Sequence, residues 1–366
     1  MSDDINTSNP VKSSDTDVAK CPSCGANLVF SPEKGVLECK YCGTQMEFNS
    51  NKSSELAIDK LFDSALTWGN DTRVFKCPNC GASEIISKTE ISKECAYCGS
   101  TNVLESTQIS GLKPTAVVPF FLDKDNASSI AVKWAKGRIF APSAFKKSLS
   151  PEGLHGVYTP SFTFDSRTYT EYHGQLYRNE RHTRRVNGKT VVETIVVNFN
   201  IAGDHNDAFD DILVHASNKI EHKFMQDIEP FDTQNSQAYN DSFIHGFTAW
   251  HYDIDGKECW EKGKRIMRAI IKKHILSKYT YDGVNSFEEK TLFDHNKFKY
   301  ALLPVYVGHT RYKEKLYNFF VNGSTGKTTG KTPLSPIRVT IAVILILALV
   351  VFLAVILLNC VGVLSQ

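Results

Sequence analysis

Hydrophobic and polar positions alternate through much of the middle of the chain. Over residues 156–217, aromatic and β-branched residues alternate with polar ones, which predicts half-buried antiparallel strands. Asn187-Gly188 interrupts this pattern, and that pair favours the two-residue turn of a β-hairpin. Over residues 256–278, apolar side chains recur at helical spacing, which predicts an amphipathic helix. Strands and helices in separate stretches indicate a mixed α+β fold.

Shorter patterns predict further elements on either side of this region. Residues 113–125 predict a strand, and residues 126–136 predict a short helix capped by Asn126 or Ser128. A final pair of strands is predicted within residues 299–323.

A weak motif built around proline occurs three times in the same region. Proline inside a strand removes one ladder donor, which confines it to an edge or a bulge. Its recurrence suggests related strands, although chance also explains so short a motif. The three copies are Val118-Pro119-Phe120, Tyr158-Thr159-Pro160-Ser161-Phe162 and Leu302-Leu303-Pro304-Val305-Tyr306.

The last apolar stretch has no polar face. Residues 339–358 comprise 20 residues, of which 19 are apolar and none is charged. A helix of this length, at about 1.5 Å per residue, spans the roughly 30 Å hydrocarbon core of a bilayer. Lys327, Lys331 and Arg338 precede it, and the positive-inside rule then places the bulk of the chain on the cytoplasmic side. Because the polar start has no signal-peptide pattern, we expect a single-pass, tail-anchored membrane protein.

The cysteines form the strongest internal repeat. The first unit reads CPSCGA…ECKYCGT and the second reads CPNCGA…ECAYCGS. Each cysteine recurs 56 residues later, and 14 residues separate the two CxxC pairs in both units. Such self-similarity predicts two copies of one small structural unit. The predicted metal ligands are Cys21, Cys24, Cys39 and Cys42 in the first unit and Cys77, Cys80, Cys95 and Cys98 in the second.

Four thiolates at this spacing suit zinc, which prefers tetrahedral coordination with sulfur at about 2.3 Å. The two-residue gap of CPxCG lets both sulfurs reach one ion, and its glycine permits the tight turn. Two such knuckles joined by a hairpin predict a zinc ribbon. A disulfide framework is the alternative, but nothing directs this region to an oxidising compartment. Since four protein ligands leave no open position, we expect two structural zinc ions per chain.

These patterns divide the chain into seven segments. We expect a disordered tail at 1–20, zinc ribbon 1 at 21–48, a linker helix at 53–69, zinc ribbon 2 at 74–106, an α+β domain at 113–325, a basic juxtamembrane linker at 326–338 and a transmembrane helix at 339–358.

The overall charge does not indicate what class of partner the protein binds, because 42 basic and 40 acidic residues leave a formal net charge of +2. Residues 20–105 contain nine basic and eleven acidic side chains, and each tetrathiolate zinc centre would add −2. Such a negative surface repels nucleic acid, so we favour protein partners.

The helix predicted at 256–278 has the opposite sign, with eight basic and two acidic side chains. A core-packed helix with a solvated basic face explains it, while anionic lipid headgroups or an acidic partner are the alternative. The same two interpretations apply to the cluster Arg178, Arg181, Arg184 and Arg185.

Sequence motifs for catalysis are lacking. The stretch GSTGKTTGKT at 323–332 has no glycine five positions before either Gly-Lys, so it predicts a hairpin turn and no nucleotide site. The 11 histidines form no HExxH motif, and Asp204-His205-Asn206-Asp207 predicts a polar loop. Cys259 and Cys360 lie outside CxxC pairs, and Cys360 is a weak candidate for lipidation. We therefore expect no enzyme.

Several segments together resemble a known bacterial family, the "TFIIB-type zinc ribbon-containing protein". They are CPSCGANLVFSPEKGVLECKYCGT, CPNCGA…CAYCGS, VVPFFLDKD, GVYTPSFTFD, YALLPVYV and NFFVNGSTGK, and the resemblance covers nearly all of residues 21–332. Some members carry a primosomal helicase label, but this chain has neither a phosphate loop nor a DExH motif. Membrane-bound relatives are similar to proteins of phage-shock and envelope-stress systems, which implies an anchor or recruiter for cytosolic partners.

The sequence thus predicts a cytoplasm-facing scaffold that docks protein partners at the lipid bilayer, with the resemblance implying a setting in envelope stress. The alternative is a membrane-tethered nucleic-acid-binding or transcription-related protein.

Overall fold

The computed structural model describes residues 20–48, 51–62, 72–87, 92–103, 106–108, 111–148, 153–186 and 189–364. Across these ranges the chain forms a mixed α+β fold, as predicted, with 17 strands and five α-helices. The helices are α1 (Lys124–Lys136), α2 (Ser143–Lys147), α3 (His222–Ile228), α4 (Gly256–Leu276) and α5 (Pro336–Leu364).

The strands differ greatly in length. They are β1 (Leu28–Ser31), β2 (Val36–Cys39), β3 (Gln45–Met46), β4 (Leu56–Ala57), β5 (Thr72–Lys76), β6 (Ser83–Ser87), β7 (Ser92–Glu94), β8 (Thr101–Val103), β9 (Ser106–Gln108), β10 (Ala116–Val117), β11 (Leu154–Val186), β12 (Lys189–His215), β13 (Gln237–Ala238), β14 (Thr248–Trp250), β15 (Gly283–Tyr312), β16 (Lys315–Asn322) and β17 (Thr328–Gly330).

Three long strands dominate the architecture. β11, β12 and β15 contain 33, 27 and 30 residues and pair antiparallel in the order β12–β11–β15. At about 3.3 Å per residue, β11 extends for roughly 110 Å. Val186 pairs with Lys189, so two residues connect β11 and β12, as the predicted hairpin requires. The turn residues 187–188 lie outside the described ranges.

β15 begins at Gly283, well before the strand pair predicted within residues 299–323. In its first half, half-buried side chains on one face alternate with exposed ones on the other, whereas the half from Phe298 onwards is buried. Glu289 and Thr291 share the half-buried face with Phe287 and Phe293, so no regular apolar alternation marks this half as a strand. Only its pairing with β11 reveals the full length of β15.

The three proline segments meet in one part of the sheet. Tyr158 on β11 pairs with Pro304 on β15, and the Val118 amide donates to the Leu302 carbonyl at 2.9 Å. The rings of Phe120, Tyr158 and Tyr306 pack together nearby, with centroids 4.8 to 5.0 Å from Phe120. The recurring sequence motif therefore corresponds to neighbouring chain segments around one buried aromatic cluster. The strand predicted at 113–125 is shorter, since β10 contains two residues.

The helix predicted at 256–278 is confirmed as α4, which packs across β11 and β12. The Asp255 carboxylate caps it by accepting the Lys257 amide at 3.0 Å. Gly263 allows close packing, because a Cβ atom there would lie 3.0 Å from the Phe164 ring. For α1, the predicted caps are wrong: Asp123 accepts the Asn126 amide and the helix begins at Lys124.

The two cysteine units join the rest of the fold differently. In the first unit, β1, β2 and β3 form a separate three-stranded sheet. In the second unit, β6 pairs with β14, which makes β5, β6 and β9 part of the large sheet. Hydrogen-bonded strands therefore cross the boundary predicted between the second unit and the α+β domain.

The linker helix predicted at 53–69 is wrong where it is described. Leu56–Ala57 pairs with β15 as β4, and Ile58–Phe62 forms a 3₁₀ turn. Pairing with Lys297 and Phe298 of β15 overrides the local helical pattern. The remainder, residues 63–69, lies outside the described part of the chain.

The region before the terminal helix is more ordered than the predicted flexible linker. β16 and β17 form a hairpin whose turn is stabilised by Asn322, which accepts the Ser324 and Thr325 amides at 2.8 and 3.0 Å. The predicted hairpin turn is thus confirmed. Arg338 donates to the carbonyls of Ile139 and Ala141 at 2.9 and 2.8 Å, which ties the start of α5 to the folded body.

α5 meets the length and composition required of a membrane span. Its segment Pro336–Ile356 has a mean hydropathy of 3.4, and none of this window is buried against the rest of the protein.

Candidate metal centres

The first cysteine unit gathers four sulfurs through two matching turns. The Gly25 amide donates to the Cys21 carbonyl at 2.8 Å, and the Gly43 amide donates to the Cys39 carbonyl at 2.9 Å. Both glycines have left-handed backbone angles, with φ of 72° and 74°, which favour glycine over other residues. The sulfurs of Cys21, Cys24, Cys39 and Cys42 all lie within 4.8 Å of one another.

The second cysteine unit repeats this geometry. The Gly81 amide donates to the Cys77 carbonyl at 2.7 Å, and the Gly99 amide donates to the Cys95 carbonyl at 2.8 Å. Gly81 and Gly99 have φ of 70° and 69°. The sulfurs of Cys77, Cys80, Cys95 and Cys98 again converge within 4.8 Å. The sequence repeat is therefore a repeat of backbone conformation and of ligand placement.

The sulfur separations fit a metal centre and exclude disulfides. Closest pairs are 3.4 and 3.5 Å apart in the first unit and 3.6 and 3.9 Å apart in the second. A disulfide bond would require about 2.05 Å, whereas a tetrahedron with metal–sulfur bonds of about 2.3 Å has edges of about 3.8 Å. All eight thiols are free. Each unit could hold one metal ion.

The sulfurs of the second unit differ in their pKa values. Burial opposes ionisation of Cys98, but hydrogen bonds from Ser100 and Asn79 outweigh it and lower the pKa to about 6. The hydrogen bond with Cys80, followed by burial, raises the pKa of Cys95 well above that of an ordinary thiol. Neighbouring sulfurs of one unit thus have pKa values that are shifted in opposite directions.

The two units differ in their surroundings. In the second, the Tyr97 ring packs on Trp250 with centroids 6.0 Å apart, and Lys219 donates to the Cys80 carbonyl at 3.5 Å. In the first, Tyr41 occupies the position equivalent to Tyr97 and is 87% exposed. The same knuckle is therefore packed against the body in one unit and presented to solvent in the other.

The first unit contacts the body through its opposite side. Phe30 on β1 packs edge-on against Phe243, with ring centroids 5.3 Å apart, and its amide donates to the His245 carbonyl at 2.9 Å. The sheet side of the unit is thus anchored, and the knuckle that carries Tyr41 remains accessible.

The segment Asp204-His205-Asn206-Asp207 is not the polar loop that the sequence predicts, because it lies within β12. His205 and Asp207 share one face of the strand, and His274 from α4 meets them there. Spacing along the sequence could not reveal this group, since His274 is 67 residues from Asp207.

A second group that sequence spacing does not show contains Glu55, Asp165 and Asp210. Burial and the nearby Glu55 carboxylate raise the pKa of Asp165 to about 6. Lys297 neutralises part of the group through an ion pair with Glu55 at 2.9 Å.

A chain of hydrogen bonds links Ser161, His215 and Glu229. The Ser161 hydroxyl lies 3.1 Å from His215 Nδ1, and His215 Nε2 lies 2.9 Å from the Glu229 carboxylate. The residue types match a hydrolytic triad, but Ser161 is fully buried in the sheet. A substrate could not reach its hydroxyl without opening β11, so the group serves cross-strand packing in this arrangement.

Two arginines of the predicted cluster and Cys259, which the sequence analysis also singled out, are engaged in contacts within the fold. Arg178 and Arg184 lie on the β11–β12 hairpin and pair with Glu180 and Glu193 at 2.6 and 3.6 Å. Cys259 is buried in the core, and this burial raises its pKa to about 12, so it is a poor nucleophile.

Comparison with known proteins yields one distant likeness. No family model matches the chain, and no solved structure matches it at a significant level. The chain is similar to a protein of Bacillus subtilis (strain 168) described as the uncharacterized protein YdjG, with 27% identity over 227 residues. The match covers 61% of this chain and 65% of the relative, so the chain spans just under two thirds of that relative's length.

Proposed function

We propose that this protein is a membrane-anchored zinc-ribbon scaffold that docks a cytosolic protein partner through its first cysteine unit. The contrast between Tyr41 and Tyr97 carries this proposal. The second knuckle uses its tyrosine to pack on Trp250, and this contact supports a packing role for the same position in the first knuckle. The identical turn in the first unit leaves Tyr41 87% exposed, and tyrosine is a residue type enriched where proteins bind one another.

Zinc is the proposed metal for both cysteine units. Four thiolates in a tetrahedron are the ligand set of structural zinc sites, and they leave no coordination position for a substrate. The metal would contribute folding free energy and hold the knuckles rigid. A rigid, metal-held turn presents an exposed aromatic side chain at low entropic cost, which suits a docking surface.

The membrane component of the proposal depends on α5. Over the described side chains of Pro336–Ile356, its apolar surface has no protein cover, and a bilayer would supply one. Lys327, Lys331 and Arg338 on the N-terminal side of the span favour a cytoplasmic body. Because Arg338 binds the carbonyls of Ile139 and Ala141, the body would lie close to the membrane surface rather than on a flexible tether. The sequence resemblance points to envelope stress as the setting.

Replacing Tyr41 tests the docking role. We expect Tyr41→Ala to abolish capture of the partner in pull-downs from detergent-solubilised membranes, while stability changes by less than about 0.5 kcal/mol because the side chain is exposed. Tyr169→Ala, a change at a partly exposed strand position, is the matched control and should retain capture. Equal capture by the wild type and Tyr41→Ala would contradict the proposal.

Nucleic-acid binding is the competing function, and the arginines of the β11–β12 hairpin favour it. Two of these arginines are neutralised by the pairs with Glu180 and Glu193, which leaves Arg181 and Arg185 to contact phosphate. This function requires binding that weakens steeply with salt. Absence of binding at low salt would remove it.

A further inference from the structure

His205, Asp207 and His274 converge on one point between the sheet and α4. His205 Nε2 lies 3.0 Å from Asp207 Oδ2, and His274 Nδ1 lies 2.9 Å from the same oxygen. All three ligand atoms lie within 4.8 Å of one another. We propose that these residues form a third metal site, separate from the cysteine units, which binds a divalent transition metal ion and clamps α4 to β12.

The backbone places these side chains without strain. His205 and Asp207 are two positions apart on β12, and side chains at that spacing point to the same face of a strand. His274 lies in the last turn of α4, the helix that packs across this face. Two separate elements thus supply the ligands, and the ion would connect them.

The donor set selects the class of metal. Two imidazoles and one carboxylate suit zinc, cobalt, nickel or iron, whereas calcium and magnesium prefer oxygen ligands alone. Ligand atoms about 2.1 Å from an octahedral ion are separated by about 3.0 Å, which agrees with the 3.0 and 2.9 Å distances here.

Accessibility and local charge are compatible with an ion that keeps water ligands. The side chains of His205 and Asp207 are 15% and 17% exposed, and that of His274 is 49% exposed. Solvent therefore reaches the site from the His274 side. Two nearby cations are directed to aromatic rings: Lys272 on α4 lies over the Phe287 ring, and Lys278, just beyond the end of α4, lies over the Tyr172 ring.

Simple hydrogen bonding is the competing explanation for the cluster. That explanation requires both imidazoles to donate an N–H hydrogen bond to a single carboxylate oxygen. A metal ion instead accepts a lone pair from each nitrogen and from the oxygen, and it replaces those protons. The two explanations differ in whether the full chain binds one more metal than its cysteines account for.

Metal stoichiometry of the full-length protein in detergent micelles tests the site. After metal removal under reducing conditions, the chain is reloaded with Co²⁺, freed of excess ion and analysed for bound cobalt. We expect three ions in the wild type and two in Asp207→Asn and His274→Ala. The thiolate-to-cobalt charge-transfer absorption should be unchanged in these variants, because the lost ion has no sulfur ligand.

A matched control is His173→Ala, which removes an exposed histidine of β11 that pairs with Glu288 at 3.2 Å. This variant should retain three ions. Asp207→Asn preserves side-chain shape, so its unchanged melting temperature in the metal-free state excludes unfolding as the cause.

Two results would overturn the proposed site: equal cobalt content in the wild type and Asp207→Asn, or equal cobalt content in the wild type and His274→Ala. The test also separates this site from the proposed function. Failure of the cysteine units to bind cobalt removes the charge-transfer absorption, whereas failure of the third site leaves that absorption intact.

Discussion

Lys299 is a charged residue in the interior of the sheet. Its ammonium group lies 2.7 Å from the Asp211 carboxylate, and both side chains are 5% exposed. Asp211 adopts a left-handed backbone conformation with φ of 54°, in a stretch where the β11–β12 register shifts. Aspartate tolerates this conformation better than most residues. The Lys299 ammonium group thus neutralises the Asp211 carboxylate, which lies in the core at an irregular part of β12.

Removing Lys299 should destabilise the protein strongly, because it leaves the Asp211 carboxylate buried without its counter-ion. We expect Lys299→Ala to lower the free energy of unfolding by about 3–5 kcal/mol. The matched control is Lys297→Ala, whose partly exposed pair with Glu55 contributes about 0–1 kcal/mol. Urea unfolding in detergent would measure the free energy of unfolding of both variants. Similar losses for the two variants would indicate that Asp211 is solvated in the folded state.

At the scale of elements, α4 and α5 show two ways in which an apolar helix surface is covered. α4 has a buried stripe that includes Met267, Ile271 and Ile275, and its other side is polar. α5 is apolar on all sides, and no described residue of the Pro336–Ile356 window is buried. The first pattern is typical of packing on a sheet, and the second is typical of a membrane span.

Deleting residues 337–366 should release the protein from membranes, because the α5 surface that a bilayer would cover is removed. We expect the shortened chain to remain in the supernatant after sedimentation of membranes, with its metal content unchanged. A full-length Lys264→Glu, Arg265→Glu variant is the control and should still sediment. Sedimentation of the shortened chain would instead assign membrane attachment to the basic face of α4.

At the scale of the whole molecule, the cysteine units are continuous with the body. β6 of the second unit pairs with β14, and Tyr97 packs on Trp250 of that strand. Phe30 of the first unit packs against Phe243 of the body. Loss of either proposed metal ion should therefore affect the structure beyond the first hundred residues of the chain.

Chelation of the metals should increase amide hydrogen exchange in β14, because that strand loses the support of β6 and Tyr97. α2, whose Phe145 packs against Tyr312 and Tyr317 and contacts none of the proposed metal ligands, should exchange as before, and its amides serve as the internal control. In a Cys95→Ser variant, the exchange of β14 should already be high and chelation should add little. Changes confined to residues 20–108 would show that the cysteine units fold independently.

Features that depend on residues close together in the sequence were predictable from the sequence alone. The CPxCG turns, α4, the β11–β12 hairpin and the apolar α5 depend on spacing within one element, and each is confirmed as an element of structure. The identity of the metal and the role of α5 in a membrane stay predictions. The linker helix predicted over residues 53–69 is wrong where the chain is described, because pairing of Leu56–Ala57 with β15 outweighs its helical periodicity.

Sequence by itself determined the two sets of four cysteines, since a repeat of 56 residues preserves spacing, glycine turns and ligands together. Only the tertiary structure decided that Tyr97 is covered and Tyr41 exposed, although the two occupy identical positions in the repeat. It also brought His274 to Asp207 across 67 residues. Burial and contacts between distant segments depend on how the elements pack against one another, and the spacing of residues within one element does not indicate that packing.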